Sequence, residues 1–180
     1  MPVVFETERL IIRRWEPDRD ADDAYAMYSD PEVIRLLGRA PAIVASPEIQ
    51  REYLEKRIAY YTERNDGTGV WALEEKSTGQ VVGALLVKHL PDGEGTPTED
   101  LEVGWHLRRS AWGKGYATEA GRVGIDYAHG QLGAPVVFAV VKKDNARSIA
   151  VTHRLGMKPL GSTDKYYGVT LELFEALRCR

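Results

Sequence analysis

Between residues 101 and 130 the chain passes from an alternating apolar segment, through a short basic link, into a glycine-rich turn that opens a helix. No other feature of the sequence narrows the fold as much. The segment begins Leu101-Glu-Val-Gly-Trp-His-Leu-Arg-Arg-Ser-Ala-Trp-Gly-Lys-Gly-Tyr-Ala-Thr-Glu-Ala. Its patterning predicts a strand over 101–107 and a helix over 113–130. Gly113, Gly115 and the small Ala117 at the junction let a ligand come close to the main chain. The first-turn amides of such a helix lack internal partners and carry the positive end of its dipole. The junction is therefore an anion site suited to phosphates, with Lys114 adding a charge at its rim. A P-loop is excluded, because Gly115 follows Lys114 where Ser or Thr is required and Arg108 takes the leading glycine position. A dinucleotide fingerprint fits only in part, since Thr118 stands where its third glycine belongs.

Around this junction the chain alternates periods. A strand is expected within 3–15, around Leu10-Ile11-Ile12, and a helix over 18–29 opened by its aspartates. Pro31 starts a short helix carrying Val33, Ile34, Leu36 and Leu37. Ser46 caps a longer one with Pro47 at its first position and Ile49, Tyr53, Ile58 and Tyr61 as its apolar points. Strands follow at 70–73 and 81–90, joined by Ser77-Thr78-Gly79, and residues 91–98 read as a mobile hairpin loop. Residues 135–142 form a buried strand, and 145–155 a helix ended by Gly156. A closing strand pair is expected over 157–166 and 169–177. The order specifies a mixed α+β fold, with residues 1–180 expected as one domain.

With 180 residues and a formal charge of −3, the chain lacks the basic excess of a nucleic-acid binder. No apolar run approaches the roughly 20 residues needed to span a bilayer, and no secretion leader is visible, so a cytoplasmic location is expected. The single cysteine, Cys179, forbids an intrachain disulfide or a cysteine-based zinc site, and no metal is expected.

Trp112-Gly113-Lys114-Gly115-Tyr116-Ala117 resembles the acyl-CoA pyrophosphate loop of the GNAT superfamily of N-acyltransferases. That loop reads Gln or Arg, two residues, Gly, one residue, then Gly or Ala. Gly115 and Ala117 match its small positions, and Trp112 replaces the usual Gln or Arg. Thr7-Glu8-Arg9-Leu10, Glu102-Val-Gly104-Trp, Trp112 to Ala120 and Asn145-Ala-Arg-Ser148-Ile together resemble the RimJ/RimL-type branch, which includes ribosomal-protein N-terminal acetyltransferases. The resemblance covers essentially the whole chain. It implies a central twisted, mostly antiparallel sheet of about seven strands, splayed between the fourth and fifth and flanked by helices, with acetyl-CoA as cosubstrate in the gap.

The same resemblance distributes roles. Trp105, His106 and Leu107 would end the fourth strand, whose exposed backbone pairs with the pantetheine arm. The loop from Gly113 would hold the pyrophosphate through the amides of Lys114, Gly115, Tyr116, Ala117 and Thr118. Arg109, Lys114 and Arg147 are candidates for the 3′-phosphate. Asn145 would bond the pantetheine amides, although its residue type equally suits a helix cap. Ser148, three residues on, would sit near the thioester sulfur, although a helix serine commonly bonds back to a carbonyl. The small residues Ala117, Ala120, Gly121, Gly124 and Ala128 recur at helical spacing, and close packing of that helix on the sheet is the favoured reading.

The implied reaction is direct attack of a primary amine on acetyl-CoA, the acceptor being a protein or peptide N-terminal α-amine. A small-molecule amine, or a catalytically silent acyl-CoA sensor, are the alternatives. Cys179 has no evident partner for covalent catalysis. Glu102 is the first candidate base, and Gly104 and His106 share its strand face. A structural carboxylate paired with an arginine is the competing reading of Glu102. His106 has a suitable intrinsic pKa. Many relatives place a tyrosine general acid where this chain has Thr152, leaving Ser148 or a water to protonate the departing thiolate. Tyr166 and Tyr167 are further candidates. The acceptor site would lie between residues 34–60 and 165–169. No nucleic-acid or membrane partner is expected, and the assembly is a monomer or homodimer.

Overall fold

The computed structural model describes residues 3–38 and 43–178, so Cys179 lies outside the described residues. The N-terminal stretch expected as one strand folds as two, β1 (Val3–Glu6) and β2 (Leu10–Arg13). Thr7 makes the turn between them: its amide donates to Leu10 O at 2.9 Å, and Leu10 N donates to Thr7 Oγ1 at 3.0 Å. A side-chain oxygen competing for backbone donors is what breaks the ladder here.

Three helices follow: α1 (Pro17–Tyr28), α2 (Pro31–Ile34) and α3 (Pro47–Arg64). Each has proline in its first turn, where the missing N–H costs nothing. Asp30 and Ser46 cap α2 and α3 by accepting from Glu32 N and Ile49 N. The short α2 ends before Leu36 and Leu37. In α3 the buried positions are Gln50 and Leu54, whereas Ile49 and Tyr53, expected as apolar anchors, are exposed. One side of α3 rests on α1, and another faces a cleft.

The strands β3 (Gly69–Glu75), β4 (Val81–Pro91) and β5 (Pro97–Leu107) form an antiparallel meander. The β4–β5 turn is tighter than the loop expected at 91–98, because pairing reaches Pro91 and Pro97, and Asp92 Oδ1 accepts from both Glu94 N and Thr96 N. After a 3-10 turn (Arg109–Ala111) come α4 (Tyr116–Gly130), β6 (Val136–Val141), α5 (Ala146–Arg154), β7 (Lys158–Thr163) and β8 (Leu171–Leu177). Gly156, with φ 75°, carries the chain out of α5.

All eight strands belong to one sheet, in the order β1-β2-β3-β4-β5-β6-β8-β7. The expected seven become eight because of the Thr7 turn, so the expected fourth and fifth strands are β5 and β6. These two run parallel and share one registered pair, Glu102 with Phe138. Every other neighbouring pair in the sheet is antiparallel with three or more registered pairs. Past Glu102 the sheet opens into a V.

Side chains alternate across β4 and β5. Leu85, Val87 and Val103 join a core beneath α4, and Ala84 and Leu86 join one beneath α1 and α3. A third cluster, with Ala139, Val141, Met157 and Phe174, fills the C-terminal half. The small-residue stripe of α4 is buried throughout. A Cβ on Gly124 would lie 3.0 Å from Val103 and 3.1 Å from Leu85, and one on Gly121 would lie 2.8 Å from Leu155. Close packing accounts for both glycines.

Candidate active site

The V between β5 and β6 continues into a cleft of about 1470 Å³ that runs from the start of α4 to the inner face of α3. At one end, Gly113 and Gly115 have φ of 78° and 86°, conformations that favour glycine. They turn the chain into α4 so that Gly113, Lys114, Gly115, Tyr116, Ala117 and Thr118 all line the cleft. Thr118 N and Glu119 N both donate back to Gly115 O at 3.1 Å. The amides from Gly113 to Ala117 precede those first helical bonds and are left as the free donors of a helix start. The Thr118 amide is spent on Gly115.

This turn is clamped by the segment between β1 and β2. Glu119 accepts from Thr7 Oγ1 at 2.5 Å and from Arg9 N at 3.0 Å, and it pairs with the Arg9 guanidinium at 2.6 Å. Arg9 Nη1 also donates to Lys114 O at 2.7 Å, and the guanidinium stacks on Tyr116. Burial works the other way, but the hydrogen bonds from Thr7 and Arg9 hold the Glu119 carboxyl below its ordinary range. Thr7 and Arg9 of the N-terminal motif therefore position the loop, and Arg9 also lines the cleft. Across the loop, Trp112 Nε1 donates to Leu107 O at 2.9 Å, and the Arg147 guanidinium lies 4.6 Å over the Trp112 ring. Lys114 Nζ lies 3.8 Å from Glu75. Arg147, Arg122 and Arg154 line this end of the cleft. Arg109 does not; it pairs with Asp30 at 3.3 Å. Arg122 and Arg154 carry no motif signal and are visible only in three dimensions.

In the middle, residues 103–107 of β5 pair with β4 on one edge and are unpaired toward β6. This free edge is a template for an extended, amide-bearing ligand. Asn145 caps α5, its Oδ1 accepting from Ser148 N at 3.2 Å. Trp105 Nε1 donates to Ser148 Oγ at 3.3 Å. An indole N–H can only donate, so Ser148 accepts there and keeps its own hydroxyl proton for another partner. Thr152 is fully buried and donates to Ile149 O at 2.7 Å, which removes it from the cleft chemistry.

At the far end Glu102 is 6 % exposed. Its carboxylate accepts from Tyr167 Oη at 2.6 Å and lies 3.3 Å from Lys88 Nζ. Lys88 Nζ also donates to Tyr167 Oη at 2.7 Å, closing a triangle. Tyr167 is held at φ 59°, a costly backbone conformation for a side chain of this size. Burial and then the Glu102 charge push its phenol well above the usual tyrosine range, so it stays protonated. The partner of Glu102 is thus a lysine and a tyrosine, not the arginine of the competing reading. Tyr166 instead donates to Asp100 at 2.8 Å. His106 contacts Tyr28 Oη through Nδ1 at 3.0 Å. Partly buried at the cleft wall and surrounded by protein, it has its pKa driven down to about 3, by desolvation first and then by the Arg57 and Lys88 charges. It is a neutral, weakly basic group at working pH. Sequence reading passed over Gln50, Arg57 and Lys88, all of which line this end. The signal for the α3 residues is present: Gln50, Tyr53, Arg57 and Tyr61 recur at helical spacing as a polar stripe.

Among the described residues no helix is long and apolar enough to cross a membrane. A family profile described as "Acetyltransferase (GNAT) domain" matches residues 9–158. The chain is 28% identical over 160 residues to "Uncharacterized N-acetyltransferase p20" of Bacillus licheniformis, covering 89% of this chain and 85% of that protein. Its fold is similar to that of the ribosomal-protein-S5-alanine acetyltransferase of Vibrio fischeri, with a TM-score of 0.74 at 19% identity, covering 96% of this chain and 95% of that one. It is equally similar to RimL, the ribosomal L7/L12 α-N-protein acetyltransferase, in complex with coenzyme A. That likeness has a TM-score of 0.75 at 13% identity and covers 97% of both chains.

Proposed function

We infer that this chain, which belongs to the GNAT acetyltransferase family and is an acetyl-CoA-dependent acyltransferase, acetylates a primary amine directly, the acceptor being a protein or peptide N-terminal α-amine. The observation that carries this reading is the continuity of the cleft. One space joins an anion-binding helix start, a free strand edge and a buried carboxylate. These match the successive demands of a pyrophosphate, a pantetheine arm and a reacting amine.

The residues present fit acetyl-CoA. The amides from Gly113 to Ala117 would hold the pyrophosphate, the β5 edge at 103–107 the pantetheine amides, and Arg122, Arg147, Arg154 or Lys114 the 3′-phosphate. Asn145, already spent as a cap through Oδ1, has its amide N–H groups left for the pantetheine. When bound, acetyl-CoA supplies an activated thioester whose C–S bond breaks as the new N–C bond forms. Glu102 takes the amine proton. Ser148, oriented by Trp105, offers its hydroxyl to the departing sulfur. His106 fixes Tyr28 at the cleft wall and transfers no proton. An α-amine, with pKa about 7.7–8.0, is easier to deprotonate than a lysine near 10.4, which favours an N-terminal acceptor. The likeness to two acetyltransferases named for ribosomal proteins supports the same choice.

Two measurements test this. Acetyl-CoA at about 100 times Kd is expected to raise the melting temperature by roughly 5–10 °C. Gly115→Val should abolish that rise, because it forces a β-branched residue to φ 86° and sets a Cβ 3.3 Å from Arg9 Nη2. No response of the native chain to acetyl-CoA would overturn the cosubstrate assignment. Thiol release on a panel of N-terminal peptides and small amines then reads the acceptor, and turnover confined to the small amines would overturn the N-terminal reading.

A further inference from the structure

The amine end of the cleft carries more positive than negative charge. Lys88 is matched by Glu102 at 3.3 Å. Arg57 is not matched: among the described residues it has no carboxylate partner, and its Nη1 is buried without a hydrogen bond. Its guanidinium stands 5.8 Å over the Tyr28 ring, the ring that bonds His106. About two helical turns before it on α3, Gln50 is only 2 % exposed. Both residues line the cleft. A guanidinium with a buried, unused N–H is costly unless something pairs with it. Such a group selects a planar anion, which it can grip through two N–H groups, with a side-chain amide serving a remaining oxygen.

We propose that Arg57 and Gln50 form a carboxylate subsite, so that the preferred acceptor bears a carboxylate within one residue of its reacting amine. This rests on the reading of the cleft as an amine acetyltransferase site. Arg57 and Glu102 line one cleft and are linked along its wall: Arg57 stands over the Tyr28 ring, Tyr28 contacts His106, and His106 shares the β5 face of Glu102. One acceptor lying along that wall would place its amine at Glu102 and its carboxylate at Arg57. Two sources supply this chemistry, the α-carboxylate of a free amino acid and the side-chain carboxylate of an acidic first residue in a peptide.

The test compares matched acceptors. One arm sets free L-amino acids against their α-amides. The other sets pentapeptides beginning with Asp or Glu against those beginning with Asn or Gln. The expected result is a preference in kcat/KM for the carboxylate member of about 10–100-fold in one arm, which names the source. Arg57→Gln should bring that ratio to within about threefold of unity, chiefly through KM, and Arg57→Lys should restore part of it. Carboxylate members turned over no better than their amides in both arms would overturn the subsite. So would a preference that survives Arg57→Gln. No turnover of any amine by acetyl-CoA-bound protein would overturn the amine acetyltransferase reading itself, and the subsite with it.

Discussion

Replacing Arg13 with methionine is expected to lower the melting temperature by roughly 6–20 °C, the equivalent of about 3–5 kcal/mol in a domain of this size. Arg13 is fully buried between β2, β3 and α1. Its Nε donates to Glu74 at 2.7 Å, and its two Nη atoms donate to the two Asp20 oxygens at 2.7 and 2.8 Å. Asp20 also accepts from Glu16 N at 2.8 Å, which fixes the start of α1. Methionine matches the stem but leaves Asp20 without its cation and Glu74 with only the more exposed Arg19. The large loss comes from the stranded carboxylates rather than from the value of the pair itself. Arg13→Lys keeps a charge but loses the forked geometry, so it should fall between the native chain and Arg13→Met. Thermal unfolding of the three proteins checks this order. An Arg13→Met protein melting within 2 °C of the native chain would show the cluster to be dispensable.

This cluster also marks where sequence reading stops. Arg13 sits in an apolar strand, and nothing in its neighbourhood announces that it is internal. Its partners are 7 and 61 residues away, and only the folded chain joins them. The glycine turn at one end of the cleft is legible because its signal is local: Gly113, Gly115 and the start of α4 lie within five residues. The splay of the sheet followed only from resemblance, since no local pattern says that β5 and β6 part after Glu102. The extra strand was hidden because Thr7 breaks the ladder through one side-chain oxygen, which leaves hydrophobic periodicity unchanged. The Glu102 end of the cleft is the least legible. Glu102 stands out in the sequence, but its partners Lys88 and Tyr167 come from β4 and from the β7–β8 turn. On α3 the cleft-facing stripe joins two of the expected apolar points, Tyr53 and Tyr61, to the polar Gln50 and Arg57. A helix that lines a site inverts the usual expectation, because the groups it turns inward are kept for a ligand and not for the core.

Glu102→Gln is expected to reduce kcat by about 10²–10⁴-fold, the usual yield of a positioned general base. The substitution keeps the shape, and Tyr167 can still donate to the amide oxygen, so the fold and acetyl-CoA binding should persist. What disappears is the proposed acceptor of the amine proton. The decisive reading is the pH profile with acceptors of different amine basicity. In the native enzyme the rising limb of kcat/KM should stay in place when a weakly basic amine replaces a strongly basic one, because on the proposed mechanism the bound amine gives up its proton to the enzyme. In Glu102→Gln the limb should move with the acceptor, since only amine that is already neutral can react. Lys88 sharpens the contrast. With the carboxylate gone, its charge at 3.3 Å from that site is no longer matched and joins Arg57 in repelling an ammonium. The variant should therefore lose most at low pH and recover toward high pH, where the free amine predominates. A native limb that already tracks the acceptor, with Glu102→Gln within threefold of native turnover, would reduce Glu102 to a partner that positions Lys88 and Tyr167.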